Sequence, residues 1–174
     1  MILLITGNGK GKTTSALGTA IRGLGSGKTV AWVAFDKAKS HSGEDHIFKL
    51  LQEKMDWFKF GKKRFDPKTQ TFRFGNTPDD FKEAKKALQK IRELLTQHYF
   101  LIIADELISA LGTGLVKKSD VQNLIKACPV TTHLMLTGRN APKWLIAKAD
   151  LVSEIREVKH YYSKTKKAIE GLDY

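Results

Sequence analysis

A glycine-rich loop between an apolar strand and a helix constrains this chain more than any other feature. Residues 1–6 are apolar and predict a buried β-strand, and residues 12–24 predict an α-helix that a Gly-Ser-Gly sequence ends. Between the two elements runs Gly-Asn-Gly-Lys-Gly-Lys-Thr-Thr, over residues 7–14. A purely structural glycine turn is the alternative, but a strand, a glycine loop and a helix in this order are typical of P-loop proteins. We therefore expect an α/β fold built on a phosphate-binding loop.

The loop carries the groups that a phosphate site requires. Successive N–H groups of a glycine-rich turn converge on one anion, and the helix that follows adds the positive end of its dipole. Lys12 adds a full charge, and the Thr13 hydroxyl is a predicted ligand of Mg²⁺. The usual P-loop has a glycine where this chain has Thr6, so the loop is one residue short. The predicted nucleotide-binding residues of the loop are Gly7, Asn8, Gly9, Lys10, Gly11, Lys12, Thr13 and Thr14.

Strand and helix signals alternate along the rest of the chain. Further strands are predicted at residues 29–35, 99–104, 132–137 and 151–158, helices at 78–96 and 119–127, and a helical turn at 142–147. Thr77 and Ser119 are the expected N-caps of the two helices. The strand at 29–35 contains six consecutive apolar residues, which is typical of a parallel sheet covered on both faces. The sequence thus predicts a three-layer P-loop NTPase-like α/β fold with a mostly parallel central sheet, in one domain spanning residues 1–174.

Residues 36–76 give a weaker signal. A helix over 46–53 is one interpretation, and five phenylalanines that alternate with polar residues predict short strands: Phe58, Phe60, Phe65, Phe72 and Phe74. His41 and His46 are five residues apart, a poor spacing for a shared metal ion, so we expect loop or surface histidines.

Polar residues follow two of the other predicted strands. Asp105 and Glu106 come after the strand at 99–104, and Arg139 comes after the strand at 132–137. In open α/β sheets, ligands bind beyond the carboxyl ends of the strands. The acidic pair is therefore predicted to bind the Mg²⁺ of a bound triphosphate together with Thr13, and Arg139 to bind phosphate. A helix-terminal acidic pair and a surface arginine in a turn are the alternatives.

Composition narrows the class of protein. The 174 residues carry a formal net charge of +12, for which three explanations compete: a nucleic-acid surface, attraction of an anionic small molecule, or solvated lysines. The lysines are dispersed, no nucleic-acid motif is evident, and solvated lysines are favoured. Cys128 is the only cysteine, and the apolar stretch at the start is too short for a signal peptide. These features, with no run of about 20 apolar residues, lead us to expect a cytoplasmic protein.

Four segments of the chain resemble the P-loop ATP:corrinoid adenosyltransferases, which act on cob(I)alamin or cob(I)yrinic acid a,c-diamide. The first is the loop at residues 6–14, which is short in that family as well. The second is Asp-Glu-Leu at 105–107. The third is Leu-Thr-Gly-Arg-Asn-Ala-Pro at 136–142, continued by Ala-Asp-Leu-Val-Ser-Glu at 149–154 and on to His160. The fourth is the ending Gly-Leu-Asp-Tyr at 171–174. A generic P-loop protein would not share the last two.

The resemblance implies a reaction in which the cobalt(I) of a corrinoid attacks the 5′ carbon of ATP and triphosphate leaves. ATP and a corrinoid would be the substrates and Mg²⁺ the cofactor, with Lys12 and Glu106 as the catalytic residues. No protein nucleophile is needed, which agrees with the lack of a Ser, Cys or His constellation. The expected partners are a reductant protein such as a flavoprotein and a second copy of the chain in a homodimer, with no specific nucleic acid and no membrane.

The middle of the chain departs from the family. Phe35-Asp36-Lys37-Ala38 stands where the family tends to have Phe-Ile-Lys-Gly, and residues 60–65 lack the family's tryptophan. Trp57, Phe58 and Phe60 would pack either on the corrinoid or in the core, and the core is favoured. An N-terminal helix of some relatives is also expected to be missing, because the chain starts on the strand. The alternative functions are a P-loop ATPase or nucleic-acid-binding module that uses the basic surface, and a small-molecule kinase.

Overall fold

Strands and helices alternate through the computed structural model. It describes residues 1–36, 43–51, 53–66, 71–73, 75–162 and 168–173. The strands are β1 (Ile2–Thr6), β2 (Val30–Ala34), β3 (Met55–Lys59), β4 (Phe65–Asp66), β5 (Thr71–Phe72), β6 (Leu101–Asp105), β7 (His133–Thr137) and β8 (Leu151–Glu154). The helices are α1 (Lys12–Gly25), α2 (Gly43–Leu50), α3 (Pro78–Leu95), α4 (Leu107–Gly112), α5 (Lys118–Ala127) and α6 (Lys143–Ile146).

Six of the strands form one sheet in the order β3-β2-β6-β7-β1-β8, and every neighbouring pair is parallel. The register aligns the carboxyl ends, with Ala34 opposite Asp105 and Ile5 opposite Thr137. β4 and β5 form a separate antiparallel pair. The predicted parallel sheet is confirmed, and its carboxyl edge collects the loops that follow β1, β6 and β7.

Helices cover both faces of the sheet and create two hydrophobic clusters. On one face, Ala16 and Ala20 of α1 and Phe48 of α2 pack against alternate residues of the strands. On the other face, α3, α4 and α5 pack against the remaining strand residues. Both faces are buried, which explains why β2 is apolar throughout. The three layers predicted from the sequence are therefore present.

The aromatic residues of β3 and the residue after it join these clusters. Trp57 packs on Phe48 with ring centroids 5.3 Å apart, and Phe58 and Phe60 lie against the cluster beneath α3. All three aromatics are partly buried and pack against the core, and the favoured core role over contact with the corrinoid stays a prediction.

Helix boundaries follow capping chemistry, with one correction. Thr77 caps α3 as predicted: its hydroxyl oxygen accepts the backbone N–H of Asp80 at 3.4 Å, and its own backbone N–H donates to the Asp80 carboxylate at 2.8 Å. Ser119 was the predicted cap of α5 and this is wrong, because α5 begins at Lys118. The backbone N–H of Lys117 donates to the Asp120 carboxylate at 3.2 Å, so an acidic side chain inside the first turn ties down the helix start.

Three other differences concern element boundaries. Helix α4, directly after the acidic pair, is absent from the sequence prediction; at six residues it is too short for a periodic signal. The last strand ends at Glu154 instead of residue 158, because the chain then turns onto the phosphate loop. α2 starts three residues earlier than expected, and Phe74 and His41 lie outside the described residues. Within the described ranges, no helix combines the length and apolar character needed to cross a membrane.

Candidate functional site

Hydrogen bonds join three loops at the carboxyl edge of the sheet. Asp105 ends β6 and is fully buried, and one of its carboxylate oxygens accepts from the hydroxyls of Thr137 at 2.7 Å and Thr13 at 3.1 Å. The Thr137 hydroxyl in turn accepts from the backbone N–H of Glu106 at 2.9 Å. The acidic pair is thereby held to the first turn of α1. Thr137 was not among the predicted site residues; a hydroxyl at the end of an apolar strand was the available signal.

Lys12 lies over the phosphate loop. Its side chain is buried, with 6% of the residue exposed, and its ammonium donates to the carbonyl oxygen of Gly9 at 2.7 Å. Burial lowers the pKa of Lys12, as does the nearby charge of Arg139, while Glu106 and Asp105 act in the opposite direction. The site thus gathers opposite charges around one buried ammonium, an arrangement typical of functional sites.

The phosphate loop is braced by the chain that follows β8. The Gly9 N–H donates to the Ile155 carbonyl oxygen at 2.9 Å, and the Glu157 N–H donates to the Asn8 side chain at 3.1 Å. The approach is so close that a Cβ on Gly7 would lie 2.2 Å from the Ile155 oxygen, and one on Gly9 would lie 2.7 Å from the Arg156 carbonyl carbon. Two of the loop glycines are therefore required by packing as well as by anion binding.

The start of α1 completes the anion-binding geometry. Gly11 is the N-cap with φ of +114°, and no side chain caps the helix. The first-turn N–H groups of a helix lack partners within it, and they carry the positive end of the dipole. Together with Lys12 they are suited to bind phosphate oxygens.

Backbone strain is concentrated at the same edge. Among the described residues, the non-glycine residues with positive φ are Asp36 at +52°, Glu106 at +61° and Asn140 at +56°. They follow β2, β6 and β7 respectively. Such conformations cost about 1–3 kcal/mol each and cluster at functional sites.

Arg139 is fixed through its backbone. Its N–H donates to the Ser109 hydroxyl at 3.0 Å, and the preceding Gly138, at φ of +142°, lies against α4 so closely that a Cβ would be 2.4 Å from the Ser109 nitrogen. The side chain is exposed and lines the same cavity as the phosphate loop. The unpredicted helix α4 therefore positions a predicted site residue.

These elements surround a cavity of about 810 Å³. Most predicted site residues line it, but Gly7 and Asp105 do not. Asp105 is fully buried and contacts the Thr13 hydroxyl from behind. The cavity also has walls that sequence reasoning missed, formed by Leu17, Glu44, Ile47, Glu157, His160, Tyr162, Gly171, Leu172 and Asp173. Nothing in the local pattern of those residues indicated that they meet.

Oxygen donors suited to Mg²⁺ lie at the start of α1 and at the end of β6. These donors are the Thr13 hydroxyl, the Glu106 carboxylate in the cavity wall and the Asp105 carboxylate behind Thr13. Mg²⁺ prefers oxygen ligands and usually takes only one or two from the protein, with phosphates and water supplying the others. In the described ranges no group of three or more His, Cys, Asp or Glu side chains is placed to hold a metal ion by itself. The donors fit a Mg²⁺ ion that enters with a triphosphate.

Comparison with known proteins agrees with this geometry. The family model described as "ATP:corrinoid adenosyltransferase BtuR/CobO/CobP" matches residues 1–174. A corrinoid adenosyltransferase of Pseudomonas aeruginosa is 33% identical over 175 residues, covering 100% of this chain and 83% of the relative. The corrinoid adenosyltransferase CobA of Salmonella typhimurium is 33% identical over 175 residues, with 100% and 85% covered. One of Escherichia coli is 32% identical with the same coverage.

Proposed function

Because the chain belongs to the ATP:corrinoid adenosyltransferase family, we propose that it transfers the 5′-deoxyadenosyl group of ATP to the cobalt(I) of a corrinoid. The observation that carries the proposal is the match of the whole chain to this family and its relatives, together with a phosphate loop that opens on a large cavity. The divergent middle of the chain does not interrupt the match.

The reaction transfers the 5′-deoxyadenosyl group from one substrate to the other, and C5′ is the atom that changes partners. The cobalt(I) electron pair forms the new bond to C5′ of ATP, and the C5′–O bond breaks. Triphosphate leaves with the electron pair of that C5′–O bond, so cobalt is formally oxidised to cobalt(III). The protein need not supply a nucleophile. Its task is to hold the reacting atoms in line and to stabilise the charge of the leaving group.

The described residues suit that task. Lys12, the first turn of α1 and Arg139 are proposed to bind the triphosphate, because all three lie on one cavity wall. The burial of Lys12 strengthens its attraction for an anion, since the local dielectric constant is lower there. The Gly9 carbonyl that holds the ammonium would be exchanged for phosphate oxygen when ATP binds.

Glu106 and Thr13 are proposed to hold Mg²⁺, with Asp105 orienting Thr13. The carboxylate of Asp105 accepts a hydrogen bond from the Thr13 hydroxyl, which leaves the lone pairs of the Thr13 oxygen available to the ion. When bound, Mg²⁺ would neutralise part of the triphosphate charge. Glu106 lines the cavity and is proposed to contact the ion directly.

The decisive experiment is incubation with ATP, Mg²⁺ and chemically reduced cobalamin. We expect absorbance changes that mark cobalt–carbon bond formation, and one inorganic triphosphate per adenosylated corrinoid. Release of orthophosphate without a cobalt–carbon product would instead support the P-loop ATPase, and a phosphorylated acceptor would support a kinase. The basic charge is the observation behind the ATPase alternative, and the family match does not favour it.

We also propose a reductant partner, an oligomeric state and a cellular location for the protein. Cobalt(I) needs a strong reductant, so a reductant protein such as a flavoprotein is proposed as a partner. A homodimer, a single domain over residues 1–174 and a cytoplasmic location are proposed with it, the last supported by the lone Cys128.

A further inference from the structure

A turn at residues 168–173 forms part of the wall of the nucleotide cavity. Gly171, Leu172 and Asp173 line the cavity together with the phosphate loop, although some 160 residues of sequence separate them. The turn is closed internally, since the Asp173 N–H donates to the Ile169 carbonyl oxygen at 2.8 Å. A closed turn at this place presents fixed side chains to a ligand.

The Asp173 carboxylate anchors the turn. It accepts the backbone N–H of Ile169 at 2.8 Å and a short hydrogen bond from the hydroxyl of Tyr161. Tyr161 lies between His160 and Tyr162, which both line the cavity, and its ring centroid is 4.6 Å from that of His160. The same hydrogen bond raises the pKa of Tyr161 to about 12 and lowers that of Asp173. The turn is thus connected to the chain that braces the phosphate loop.

Apolar side chains also line this cavity. Leu172 is 57% exposed and Tyr162 is 48% exposed, and both face the cavity that Leu17 and Ile47 also line. Large apolar groups left exposed in a cavity indicate a ligand surface. The triphosphate would occupy the region of Lys12, so the uncharged nucleoside of ATP, with its flat base, is the group that these side chains fit.

Asp173 itself is unsuited to touch phosphate. Its negative charge lies near Lys10 of the phosphate loop and His160, and both positive influences lower its pKa. A carboxylate beside a phosphate would repel it. The group is therefore better placed to hold the turn than to bind the leaving group.

We propose that Asp173 is a positioning residue which, through Tyr161 and the Ile169 N–H, holds Leu172 and Tyr162 against the nucleoside of bound ATP. The turn then recognises the nucleoside and leaves the triphosphate to the phosphate loop. This rests on the proposed use of ATP, but it concerns ATP binding and does not depend on the acceptor.

The test compares two ligands that differ only in the nucleoside. Asp173→Asn, Tyr161→Phe and Leu172→Ala are titrated with ATP and with inorganic triphosphate, each with Mg²⁺, by calorimetry. The chain offers a matched control, because Tyr99 donates a short hydrogen bond to Asp56 at the opposite edge of the sheet. Tyr99→Phe and Asp56→Asn remove the same chemistry away from the cavity.

We expect each of the three variants to raise the Kd of ATP by roughly 3- to 10-fold, the scale of one hydrogen bond or a truncated apolar contact. The Kd of triphosphate should stay within about twofold of that of the wild type, and the control variants should change neither. Unequal effects on the two ligands would not arise from a general loss of folding.

Two results would overturn the proposal. Tighter binding of both ligands by Asp173→Asn would show that the carboxylate competes with phosphate at Lys10, and unchanged ATP binding in all three variants would show that the turn does not touch the nucleoside. Wild-type protein assayed for the cobalt–carbon product separates this from the main proposal. If ATP binding is sensitive to Asp173→Asn but the wild type forms no adenosylated corrinoid, only the proposed adenosyl transfer is contradicted.

Discussion

The two edges of the same parallel sheet are built differently. At the carboxyl edge, the three strained residues Asp36, Glu106 and Asn140 follow successive strands, and a buried ammonium lies among carboxylates. At the amino edge, the Thr132 hydroxyl donates to the Tyr99 carbonyl oxygen at 2.9 Å. Among the described residues at the starts of the strands, no residue other than glycine has a positive φ. Among the described residues, the strained non-glycine conformations therefore lie at the carboxyl edge, where a buried ammonium is also found, while ordinary hydrogen bonds stabilise the amino edge.

The largest effect is expected at the braced loop. Gly7→Ala would put a Cβ 2.2 Å from the Ile155 oxygen at φ of +106°, so we expect a loss of about 2–6 kcal/mol in the free energy of unfolding. Gly18→Ala is the matched control, because a Cβ there meets nothing within 4 Å and lies inside α1. That variant should gain about 0.5–1 kcal/mol. Urea unfolding of both measures the difference, and equal stabilities would contradict the brace.

Removing the buried ammonium comes next. Lys12→Ala should weaken ATP binding by about 2–4 kcal/mol, the scale of a charge-assisted contact inside a site. Lys28, which lies over the Phe100 ring at 5.6 Å near the amino edge, supplies the control, and Lys28→Ala should leave ATP affinity unchanged. Calorimetry with ATP decides between them. Unaltered affinity in Lys12→Ala would remove the phosphate loop from the nucleotide site.

The acidic pair distinguishes metal binding from packing. Asp105→Asn combined with Glu106→Gln should weaken the Mg²⁺-dependent part of ATP binding by about 1–3 kcal/mol, since both carboxylate charges are lost. The amides retain acceptor oxygens for the Thr13 and Thr137 hydroxyls, so the fold should persist. Asp79→Asn with Glu83→Gln on α3 removes two charges elsewhere. A Mg²⁺ dependence of ATP binding that is identical in both double variants would place the metal ion away from Glu106 and from the Thr13 hydroxyl that Asp105 orients.

The site residues whose position the sequence predicted correctly belong to short stretches, each of which follows a strand directly. The phosphate loop, the acidic pair and Arg139 each occupy a short stretch after a strand, so a parallel sheet was enough to place them on one edge. The sheet itself followed from apolar runs such as that of β2. Local capping chemistry was equally readable at Thr77.

The remainder depended on contacts between distant segments. Residues 155–157, which brace the phosphate loop, and the turn at 168–173, which lines the same cavity, are distant from the loop in sequence. Neither segment has a hydrophobic periodicity that would predict this position. Residues 155–158 even continued the alternation of β8, so the strand was predicted too long. Gly7 was assigned to anion binding alone, although the Ile155 backbone also demands a glycine there.

No effect on ATP binding, but a loss of stability, is expected at Asp80, a buried carboxylate with an arginine partner. Asp80 is 2% exposed, and Arg73 donates to both of its oxygens at 2.7 and 2.9 Å. That arginine holds the pKa of Asp80 well below its usual range. Asp80→Asn should therefore cost about 1–3 kcal/mol of stability at neutral pH without changing ATP affinity.

The pH dependence of that cost has a definite sign. A carboxylate with a lowered folded-state pKa stabilises the protein above its unfolded pKa of about 4, and the contribution is lost as pH falls through the folded pKa. The stability gap between wild type and Asp80→Asn should shrink as the pH is lowered below about 4. A gap that widens on acidification would contradict the role of Arg73.

The smallest effect, close to zero, is expected when nucleic acid is offered to the basic surface. Several lysines of α3 lie beside acids of the same helix, such as Lys82 with Asp79 at 3.5 Å and Lys86 with Glu83 at 2.7 Å, so they form a mixed face instead of a cationic stripe. Weak binding to a labelled oligonucleotide at low salt should follow from counterion release alone and reach a Kd of only about 10⁻⁴–10⁻⁶ M at physiological salt. ATP turnover should not respond to the added oligonucleotide, because the charges that act on ATP lie inside the carboxyl-edge cavity.

A salt titration of oligonucleotide binding, run beside an ATPase assay with and without the oligonucleotide, checks both points. Tight binding that survives physiological salt, or orthophosphate release stimulated by the oligonucleotide, would contradict this prediction. Function would then be assigned to the basic surface, including the face of α3, instead of to the carboxyl edge alone.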